Sequence, residues 1–419
     1  MELKYSNLPW IGNIPKLWRI EKIKFHLVRD EQRNPGDKQV LSVYREYGVI
    51  PKESRDDNHN VTSEDVSKYK WVKPGDFVIN KMKAWQGSMG LSRYEGIVSP
   101  AYFIYKPKSN LIYGDYIHYL FRNCYKNEFR RLSGGIREGQ WDLSSNCFEN
   151  TLFPIPSLIE QKKITVFLNN ECNKINEINL IIEEQMNTLE EYKRSLIIET
   201  VTKGLNPNVN YKDSNIEWIG EIPEHWQLRR NKYNFMLDKK IVGADWKSKQ
   251  LLSLTKNGIK KINDGEQSGK VPTSFSTYQN VEVNDIVMCL FDLDCSAVFF
   301  GLSKYEGMIS PAYKCFKCNN DVLPEFVNYY FMAVFIDRKY MRYSKNVRYS
   351  LSSDEFLALP IIIPPLSEQK AIADYLDGKC GEIDEIIDGK RKQLEILKEY
   401  KQSVIYEYVT GKKEVSANE

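Results

Sequence analysis

The chain has 419 residues, of which 42% are hydrophobic and 27% charged. This length is enough for two or three domains with their own cores. Its formal net charge of +3 is weakly basic, so charge alone neither establishes nor excludes a nucleic-acid partner. No apolar run reaches transmembrane length, and eight irregularly spaced Cys without a signal peptide predict a cytoplasmic protein with reduced thiols and no membrane partner.

The first residues of the chain belong to an internal repeat. Residues 7–18, NLPWIGNIPKLW, return 208 residues later as NIEWIGEIPEHW. Residues 90–102, GLSRYEGIVSPAY, return 211 residues later as GLSKYEGMISPAY. Because a repeat decides the architecture, the pattern predicts a globular unit followed by a long helix, twice over.

Each globular half shows the signals of short strands and one aromatic helix. Residues 72–79 and 281–288 each predict a turn that leads into a strand, and residues 115–127 and 324–343 predict helices. The halves diverge most between these anchors, where residues 51–69 and 260–279 are polar and share almost nothing. A shared scaffold with divergent loops is expected when two copies bind different ligands.

Each half ends in a predicted long helix. Ser157 and Glu160 form a capping-box pattern at the first helix, and Gly204 and Gly411 suit the two C-terminal caps. A helix of roughly 45 residues extends about 65 Å, beyond the usual globular length. Apolar residues recur at steps of three and four, which predicts one buried stripe on each helix. The stripe residues are Leu168, Ile175, Ile178, Ile182, Leu189, Tyr192 and Leu196 in the first helix, and Leu376, Ile383, Ile386, Leu397, Tyr400 and Val404 in the second.

Two matching stripes in one chain favour an antiparallel pair between the helices. The alternative is that each helix is only a long core helix of its own domain. Polar interruptions such as Gln185 and Lys390 would set the register of the pair or mark where a third protein docks. The predicted fold is α+β, with two tandem α/β domains joined by an antiparallel coiled coil. The predicted boundaries are residues 1–156, the helix 157–205, residues 206–364, the helix 365–412 and a disordered tail, 413–419.

The sequence lacks the common catalytic motifs. It contains no G-x-x-x-x-G-K-[ST] phosphate loop, no Gly-rich dinucleotide or methyl-donor turn and no Asp/Asn-Pro-Pro-aromatic motif for amino methylation. It contains no H-E-x-x-H, and its four His are interpreted as surface or packing residues. We therefore predict no catalytic residue, no metal site and no cofactor bound by this chain.

The cysteines leave one alternative open. Cys315 and Cys318, with Cys289 and Cys295 upstream, could form a four-thiolate zinc site. The first half has no Cys at matching positions, so ordinary buried thiols are the favoured interpretation.

Cations and polar side chains in both halves predict a nucleic-acid surface. Cations neutralise phosphates, Arg reads guanine, and Gln reads adenine. Basic side chains interleaved with aromatic rings suit contacts to backbone and bases together. The alternative is a set of solvated helix ends. The candidates are Lys81, Lys83, Trp85, Gln86, Arg130, Arg131, Arg137 and Gln140 in the first half, and Lys256, Lys260, Arg338, Lys339, Arg342, Lys345 and Arg348 in the second, with Arg130 matched to Arg338 208 residues later.

The repeated motifs together resemble a known family. Residues 154–164, PIPSLIEQKKI, and 364–372, PPLSEQKAI, each lead into a long helix and accompany the paired W-I-G-x-I-P and S-P-A-Y segments. This set, covering nearly the whole chain, resembles the specificity (S) subunit of type I restriction–modification systems.

The resemblance implies two target-recognition domains, each reading half of a bipartite site in double-stranded DNA. It implies that the coiled coil sets the spacer and docks two methyltransferase (M) subunits. Those subunits would bring S-adenosylmethionine, and motor-nuclease (R) subunits would bring ATP and Mg, so this chain is expected not to be an enzyme. Two other classes stay open: a DNA-binding scaffold without modification partners, and a polypeptide with its own methylase or nuclease site.

Overall fold

The computed structural model describes residues 2–33, 36, 38–45, 47–55, 62, 65–135, 141–256, 258–263, 272–296, 298–344 and 349–416. The chain divides into two compact units of mixed helix and strand. Unit 1 consists of Met1–Ile182 and Lys392–Glu419, and unit 2 of Glu183–Arg391. Within the described residues, no helix combines the length and apolar character needed to cross a membrane.

Unit 1 is built on a four-stranded antiparallel sheet in the order β4-β11-β8-β9. Strand β12 returns to pair with β3, so the end of the globular part is tied to its beginning. The strands are β1 (Leu3–Tyr5), β2 (Asn13–Pro15), β3 (Arg19–Lys22), β4 (Leu27–Asp30), β5 (Leu41–Tyr44), β6 (Gly48–Pro51), β7 (Lys70–Val72), β8 (Phe77–Asn80), β9 (Met89–Leu91), β10 (Gly96–Val98), β11 (Tyr102–Pro107) and β12 (Leu152–Ile155).

Short helices close the core of unit 1. They are α1 (Gly114–Cys124), α2 (Lys126–Leu132) and α3 (Ser145–Asn150). Helix α1 buries Tyr116, Leu120 and Phe121 against strand residues such as Phe77, which makes one apolar core. Burial of these large side chains is the main stabilising term of the unit.

Unit 2 repeats this architecture with a sheet in the order β16-β23-β20-β21. Its strands are β13 (Tyr211–Asp213), β14 (Glu221–Pro223), β15 (Gln227–Arg230), β16 (Phe235–Asp238), β17 (Leu252–Thr255), β18 (Gly258–Lys261), β19 (Gln279–Val281), β20 (Ile286–Met288), β21 (Phe300–Leu302), β22 (Gly307–Ile309), β23 (Lys314–Cys318) and β24 (Pro360–Ile363). Its short helices are α5 (Pro324–Ile336) and α6 (Ser353–Ala358). The predicted helix over residues 324–343 is interrupted, because Arg338 has a φ of 51° and a separate 3-10 turn follows at Lys339–Tyr343.

The long helices α4 (Leu158–Lys203) and α7 (Leu366–Val409) have 46 and 44 residues, close to the predicted extents. Most of the predicted stripe is buried or half-buried: Leu168, Ile175, Ile182, Leu189, Leu196, Leu376, Ile383, Leu397 and Val404. Gly204 and Gly411, with φ of 76° and 67°, end the helices in the left-handed conformation that favours glycine.

Ile178, Tyr192, Ile386 and Tyr400 were predicted on the buried stripe, and the structure places all four outside it, 44%, 55%, 50% and 52% exposed. Helical geometry puts Asn179 and Ile387 on the inner face instead. The sequence pattern placed Ile178 on the stripe because it is apolar. In the structure, the inward-facing residues of α4 at steps of three and four are Cys172, Ile175, Asn179 and Ile182.

Within each unit the two helix segments run antiparallel. In unit 1, the rings of Phe167 and Tyr408 are 4.3 Å apart, and Lys401 donates to Asn176 at 2.7 Å. In unit 2, Lys390 donates to Gln185 at 2.7 Å, and Lys193 to Asp384 at 2.6 Å. In each unit, residues with higher numbers in α4 contact residues with lower numbers in α7. The helix segments are therefore antiparallel. Two of the predicted polar interruptions, Gln185 and Lys390, therefore contact each other.

A buried glutamine fixes the beginning of each long helix. Gln161, fully buried, accepts from Tyr113 N and donates to Leu111 O and Pro156 O, at 2.8, 2.8 and 3.0 Å. In unit 2, Gln369 accepts from Leu323 N and donates to Asp321 O and Pro364 O in the same way, at 2.8, 2.9 and 2.8 Å. The repeated E-Q-K motif thus satisfies loop backbone groups that would otherwise be buried without partners.

The glutamate before each buried glutamine bonds a tryptophan. Glu160 N donates to Ser157 Oγ at 3.3 Å, but the Glu160 carboxylate accepts from Trp18 Nε1 at 2.9 Å. The predicted capping box is therefore only half formed, because the Glu160 carboxylate bonds Trp18 and not the backbone of Ser157.

Part of the predicted disordered tail, residues 413–416, packs within unit 1: Lys413 pairs with Glu407 at 2.8 Å and Val415 packs against the core.

Candidate DNA-binding surface

The turn after β8 positions Trp85. Residues Lys81–Gln86 form a kinked 3-10 turn in which Asn80 Oδ1 accepts from Met82 N at 3.2 Å. Gly87, with a φ of 88°, closes the turn. Trp85 Nε1 donates to Met82 O at 3.2 Å, so the polar edge of the indole is used inside the turn and its ring is half-buried.

Arg130 lies beside two indole rings. Its guanidinium carbon is 5.7 Å from the centre of the Trp85 ring and 5.5 Å from that of Trp141. The rings themselves are 5.8 Å apart, tilted by 57°. These distances are within the range of favourable cation–π contacts. The structure therefore brings together two predicted residues, Trp85 and Arg130, and adds Trp141, which the sequence analysis missed.

Carboxylates hold two neighbouring cations. Lys81 Nζ is 2.7 Å from Asp142 Oδ2, and Arg131 donates twice to Glu128, at 2.8 and 2.7 Å. Glu128 is only 6% exposed, and its counter-ion is the exposed side chain of Arg131. Both cations are therefore tied into the fold.

The remaining predicted residues of the first half are arranged around this group. Lys83 is exposed and Gln86 half-buried on the same turn. Arg137 and Gln140 lie outside the described residues; Gly134 and Asp142, which flank them in sequence, exchange backbone hydrogen bonds of 3.2 and 2.9 Å. Trp141 directly follows this basic segment, which was the available signal for including it.

In unit 2 the predicted cations are used differently. Arg338 Nη1 donates to Leu293 O at 2.7 Å, Lys339 pairs with Asp337 at 2.7 Å, and Arg342 pairs with Glu217 at 2.9 Å. Lys345 and Arg348 lie outside the described residues.

Lys256 and Lys260 belong to another part of unit 2. Both are exposed, in the turn and on the second strand of the β17–β18 hairpin. The described contacts do not bring these lysines to Arg338.

The match of Arg130 with Arg338 is a correction. Phe129 packs on Phe121 and Phe148, with ring centres 6.2 and 5.7 Å apart. Tyr340 packs in the same way on Phe331 and Phe356, at 6.3 and 6.2 Å. Tyr340 is therefore the structural counterpart of Phe129. The residue after it, Met341, is the counterpart of Arg130, because the two halves are offset by 211 residues here, as they are between residues 90–102 and 301–313.

The buried titratable groups serve packing. Burial and the nearby Arg122 and Arg93 lower the pKa of His118 to about 3, which keeps its imidazole neutral. Burial raises the pKa of the Cys315 and Cys318 thiols to about 12. Among the described residues, no group of three or more His, Cys, Asp or Glu side chains has the geometry of a metal site.

Comparison with known proteins gives a consistent assignment. The family model of the type I restriction modification DNA specificity domain matches residues 240–408. A protein of Methanocaldococcus jannaschii named as the MjaX type I restriction enzyme specificity subunit is 23% identical, covering 96% of this chain and 95% of that one. The MjaVIII specificity subunit of the same organism is 24% identical, over 83% and 82% of the two chains.

Solved structures share the fold. A chain from a study of assembly and conformational transition in a type I R-M system has a TM-score of 0.69 at 14% identity, covering 96% of this chain and 99% of that one. The HsdS subunit of Thermoanaerobacter tengcongensis has a TM-score of 0.53 at 13% identity, covering 96% and 98%. The resemblance found in the sequence is thereby confirmed. Residues 240–408 match a type I restriction modification DNA specificity domain, and nearly the whole chain is similar to type I specificity subunits.

Proposed function

We propose that this chain is the DNA-recognition subunit of a type I restriction–modification complex, in which each unit reads one half of a bipartite site. The observation that carries the proposal is the duplication of one scaffold with different exposed chemistry. Gln161 and Gln369 anchor the helices identically, whereas Arg130 stands where unit 2 has Met341. One scaffold with two different surfaces suits two different half-sequences.

The long helices would form a single antiparallel coiled coil that sets the gap between the half-sites. The helix segments in both units pair in the same antiparallel direction, and α4 and α7 each contribute residues to both units. A helix of 46 residues extends roughly 70 Å at 1.5 Å per residue. A rigid spacer of this kind fixes the number of unread base pairs between two half-sites.

Two methyltransferase subunits would dock on the outer face of the helices. That face exposes large apolar side chains, and such side chains mark protein interaction sites when they form a contiguous patch. Its exposed side chains include Ile178, Ile181, Tyr192, Ile386, Ile396 and Tyr400. The methyltransferase subunits would carry S-adenosylmethionine and the methylating site, and motor-nuclease subunits would carry ATP and Mg, leaving recognition alone to this chain.

Methylation mapping tests the proposal. The chain is expressed with its neighbouring methyltransferase subunit in a methylation-free host, and modified adenines are located by sequencing. The expected result is a two-part motif with a constant gap, seen only when both proteins are present. Methylation by this chain alone would overturn the non-catalytic assignment, and no methylation in any combination would favour a DNA-binding scaffold.

A surface variant tests the docking face separately. The pair Ile178→Asp and Ile386→Asp changes exposed positions, so the fold should persist while methylation is lost. Leu17→Asp is the matched control, because Leu17 is an apolar residue, 94% exposed, that lies outside both helices. Full methylation by the helix variant would reject this face as the docking site.

A further inference from the structure

The β17–β18 hairpin of unit 2 exposes a surface of lysines. Its inner face is anchored, because Leu252, Leu254 and Ile259 lie in a buried apolar cluster. The Thr255 hydroxyl donates to Gly258 O at 2.8 Å and fixes the turn between the two strands. The lysine surface consists of three exposed residues, Lys260 and Lys261 on β18 and Lys304 on the neighbouring β21–β22 turn.

The packing around Tyr305 holds the β21–β22 turn beside β18. Lys261 Nζ lies 4.8 Å from the centre of the Tyr305 ring, within the range of a cation–π contact. Ser303 Oγ donates to Tyr305 O at 2.7 Å and accepts from Tyr305 N at 3.2 Å, which fixes the conformation of this turn. Lys304, between Ser303 and Tyr305, therefore extends from a defined backbone next to the hairpin.

The lysine surface carries positive charge that the fold does not neutralise. Across the part of the chain that the structure describes, none of its three lysines forms an ion pair, whereas Lys317 of the same unit is held by Glu282 and Asp285 at 2.7 and 2.9 Å. Glu306, exposed on the same turn as Lys304, offsets part of the charge. Three cations beside one carboxylate leave an excess of positive charge, which is what neutralisation of phosphate requires.

The matching hairpin of unit 1, β5–β6, has a different outer face. Both hairpins follow an equivalent parallel bridge, and their strands pair in the same register. In this register Lys260 and Lys261 of β18 correspond to Ile50 and Pro51 of β6. Unit 1 therefore has apolar side chains on the same backbone where unit 2 has cations.

The turn beside the hairpin differs in the same direction. Arg93 stands where unit 2 has Lys304, because the same serine-stabilised turn surrounds both residues. Arg93 donates to the Asp115 carboxylate on α1, so its charge is neutralised within unit 1. The hairpin tips do not distinguish the units, since each has an exposed cation, Arg45 in unit 1 and Lys256 in unit 2. The difference in free charge thus lies in the lysine surface.

We propose that the lysine surface of unit 2 binds the phosphate backbone of DNA beside the half-site of that unit. Lys and Ser side chains are common donors to phosphate oxygens, and Ser253 lies directly opposite Lys260 across the hairpin. A protein partner suits this surface less well, because protein interfaces are depleted of lysine. The proposal rests on the proposed function, since it names the segment of one unit that supplies affinity for DNA and leaves base selection to other residues.

The salt dependence of DNA binding tests the proposal. The full chain, with its methyltransferase subunit, binds a duplex that carries the motif found by methylation mapping, and the dissociation constant is measured over a series of salt concentrations. Lys260→Gln and Lys304→Gln should each weaken binding by about 5- to 10-fold at 0.1 M salt and lower the slope of log affinity against log salt by about one. The double variant should lower the slope by about two. The methylated motif should stay the same, because phosphate contacts carry no sequence information.

Lys232→Gln is the matched control. Lys232 is an exposed lysine of the same unit, on the turn before β16, and β16 is the edge strand opposite to β21 in the sheet. The hairpin lies against β21, where a Cβ at Gly301 would be 2.8 Å from Leu254. Lys232→Gln removes the same charge and should leave the slope unchanged. Thermal unfolding of each variant verifies the fold.

Four outcomes would overturn the proposal. An unchanged slope in the double variant, or an equal fall in Lys232→Gln, would reject it and leave the proposed function in place, since the wild type still binds its two-part motif. A changed motif would identify base contacts instead. An unchanged slope with weakened association of the methyltransferase subunit would identify an acidic protein partner. Failure of the wild type to bind DNA would reject the proposed function and this proposal together.

Discussion

Trp18 and Trp226 occupy the same place in units 1 and 2, each tying the beginning of one long helix to the end of the other. Trp226 Nε1 donates to Glu368 at 2.9 Å, at the start of α7, and a Cβ at Gly204, the end of α4, would lie 3.1 Å from its ring. Trp18 bonds Glu160 at 2.9 Å, and a Cβ at Gly411 would lie 2.9 Å from its ring. A single indole therefore fastens both helices to each unit.

Removing the indole N–H should destabilise unit 1. Burial raises the pKa of Glu160, and the bond from Trp18 offsets part of that effect. Trp18→Phe removes this donor and opens a small cavity, so we expect a loss of about 2 to 4 kcal/mol in the free energy of unfolding. Urea denaturation measures it.

The matched control is Trp71→Phe. Trp71 Nε1 also donates to a glutamate, Glu95, at 3.1 Å, but that pair is exposed. Trp71→Phe should therefore leave the midpoint of urea unfolding nearly unchanged. Equal losses for the two variants would show that burial at the helix start does not matter.

The buried glutamine of each unit should be irreplaceable by an apolar side chain of similar shape. Gln161→Met leaves Tyr113 N, Leu111 O and Pro156 O without their bonds, which should cost about 3 kcal/mol or more. Amide hydrogen exchange at Tyr113 should accelerate accordingly. Gln393→Met, at an exposed position of α7, is the control. Unchanged exchange at Tyr113 would contradict the assignment.

Acid should destabilise unit 1 through His118. The folded chain holds this imidazole neutral, with a pKa of about 3, whereas the unfolded chain binds a proton below about pH 6.5. The contribution of neutral His118 to the free energy of unfolding is therefore present above pH 6.5 and is lost as the pH falls below that value. The loss amounts to about 2 kcal/mol between pH 7 and 5.

His118→Asn should remove this part of the acid sensitivity. Asn328 stands at the same place in unit 2, before Tyr329, which bonds Asp377 on α7 as Tyr119 bonds Asn169 on α4. Unfolding free energies of wild type and variant are compared at both pH values. Parallel pH dependences would show that His118 is protonated in the folded chain.

Shortening the helix pair should change only the unread gap of the DNA site. Deleting residues 179–185 and 391–397 removes one heptad from each helix and preserves the stripe. Seven residues correspond to about 10 Å of helix, or about 3 base pairs of B-DNA. Methylation mapping should find both half-sequences at a shorter spacing. Unaltered spacing would exclude the helices as the determinant of the gap.

The sequence predicted the helices well because their signals are local and repeated. The predicted range 157–205 contains the observed α4 (Leu158–Lys203), since Pro, Gly and the apolar stripe mark both ends. The stripe failed at Ile178 because Asn179 occupies the inner position, a choice that depends on where the partner helix lies. Side-chain polarity alone could not decide between these adjacent residues.

The candidate surface was less predictable because it depends on packing between distant segments. Arg130 and Trp85 were selected for their chemistry, but only the fold places Trp141 beside them. An offset of 208 matched Arg130 to Arg338, whereas the two halves are offset by 211 residues in this part of the chain. Buried Phe129 and Tyr340 show the true alignment, which requires knowledge of what they pack against.

The division of the chain also has a consequence for its synthesis. Unit 2, Glu183–Arg391, is continuous, so all of its residues are made before Lys392–Glu419 of unit 1. Unit 1 is discontinuous, and the hydroxyl of Tyr116 bonds the carbonyl of Val409 at 3.0 Å across 293 positions. Unit 1 therefore cannot complete its core until the end of α7 has been synthesised. During translation, unit 2 is the first unit that can complete its core. A premature stop after residue 391 would spare the later-encoded domain and leave the earlier one open.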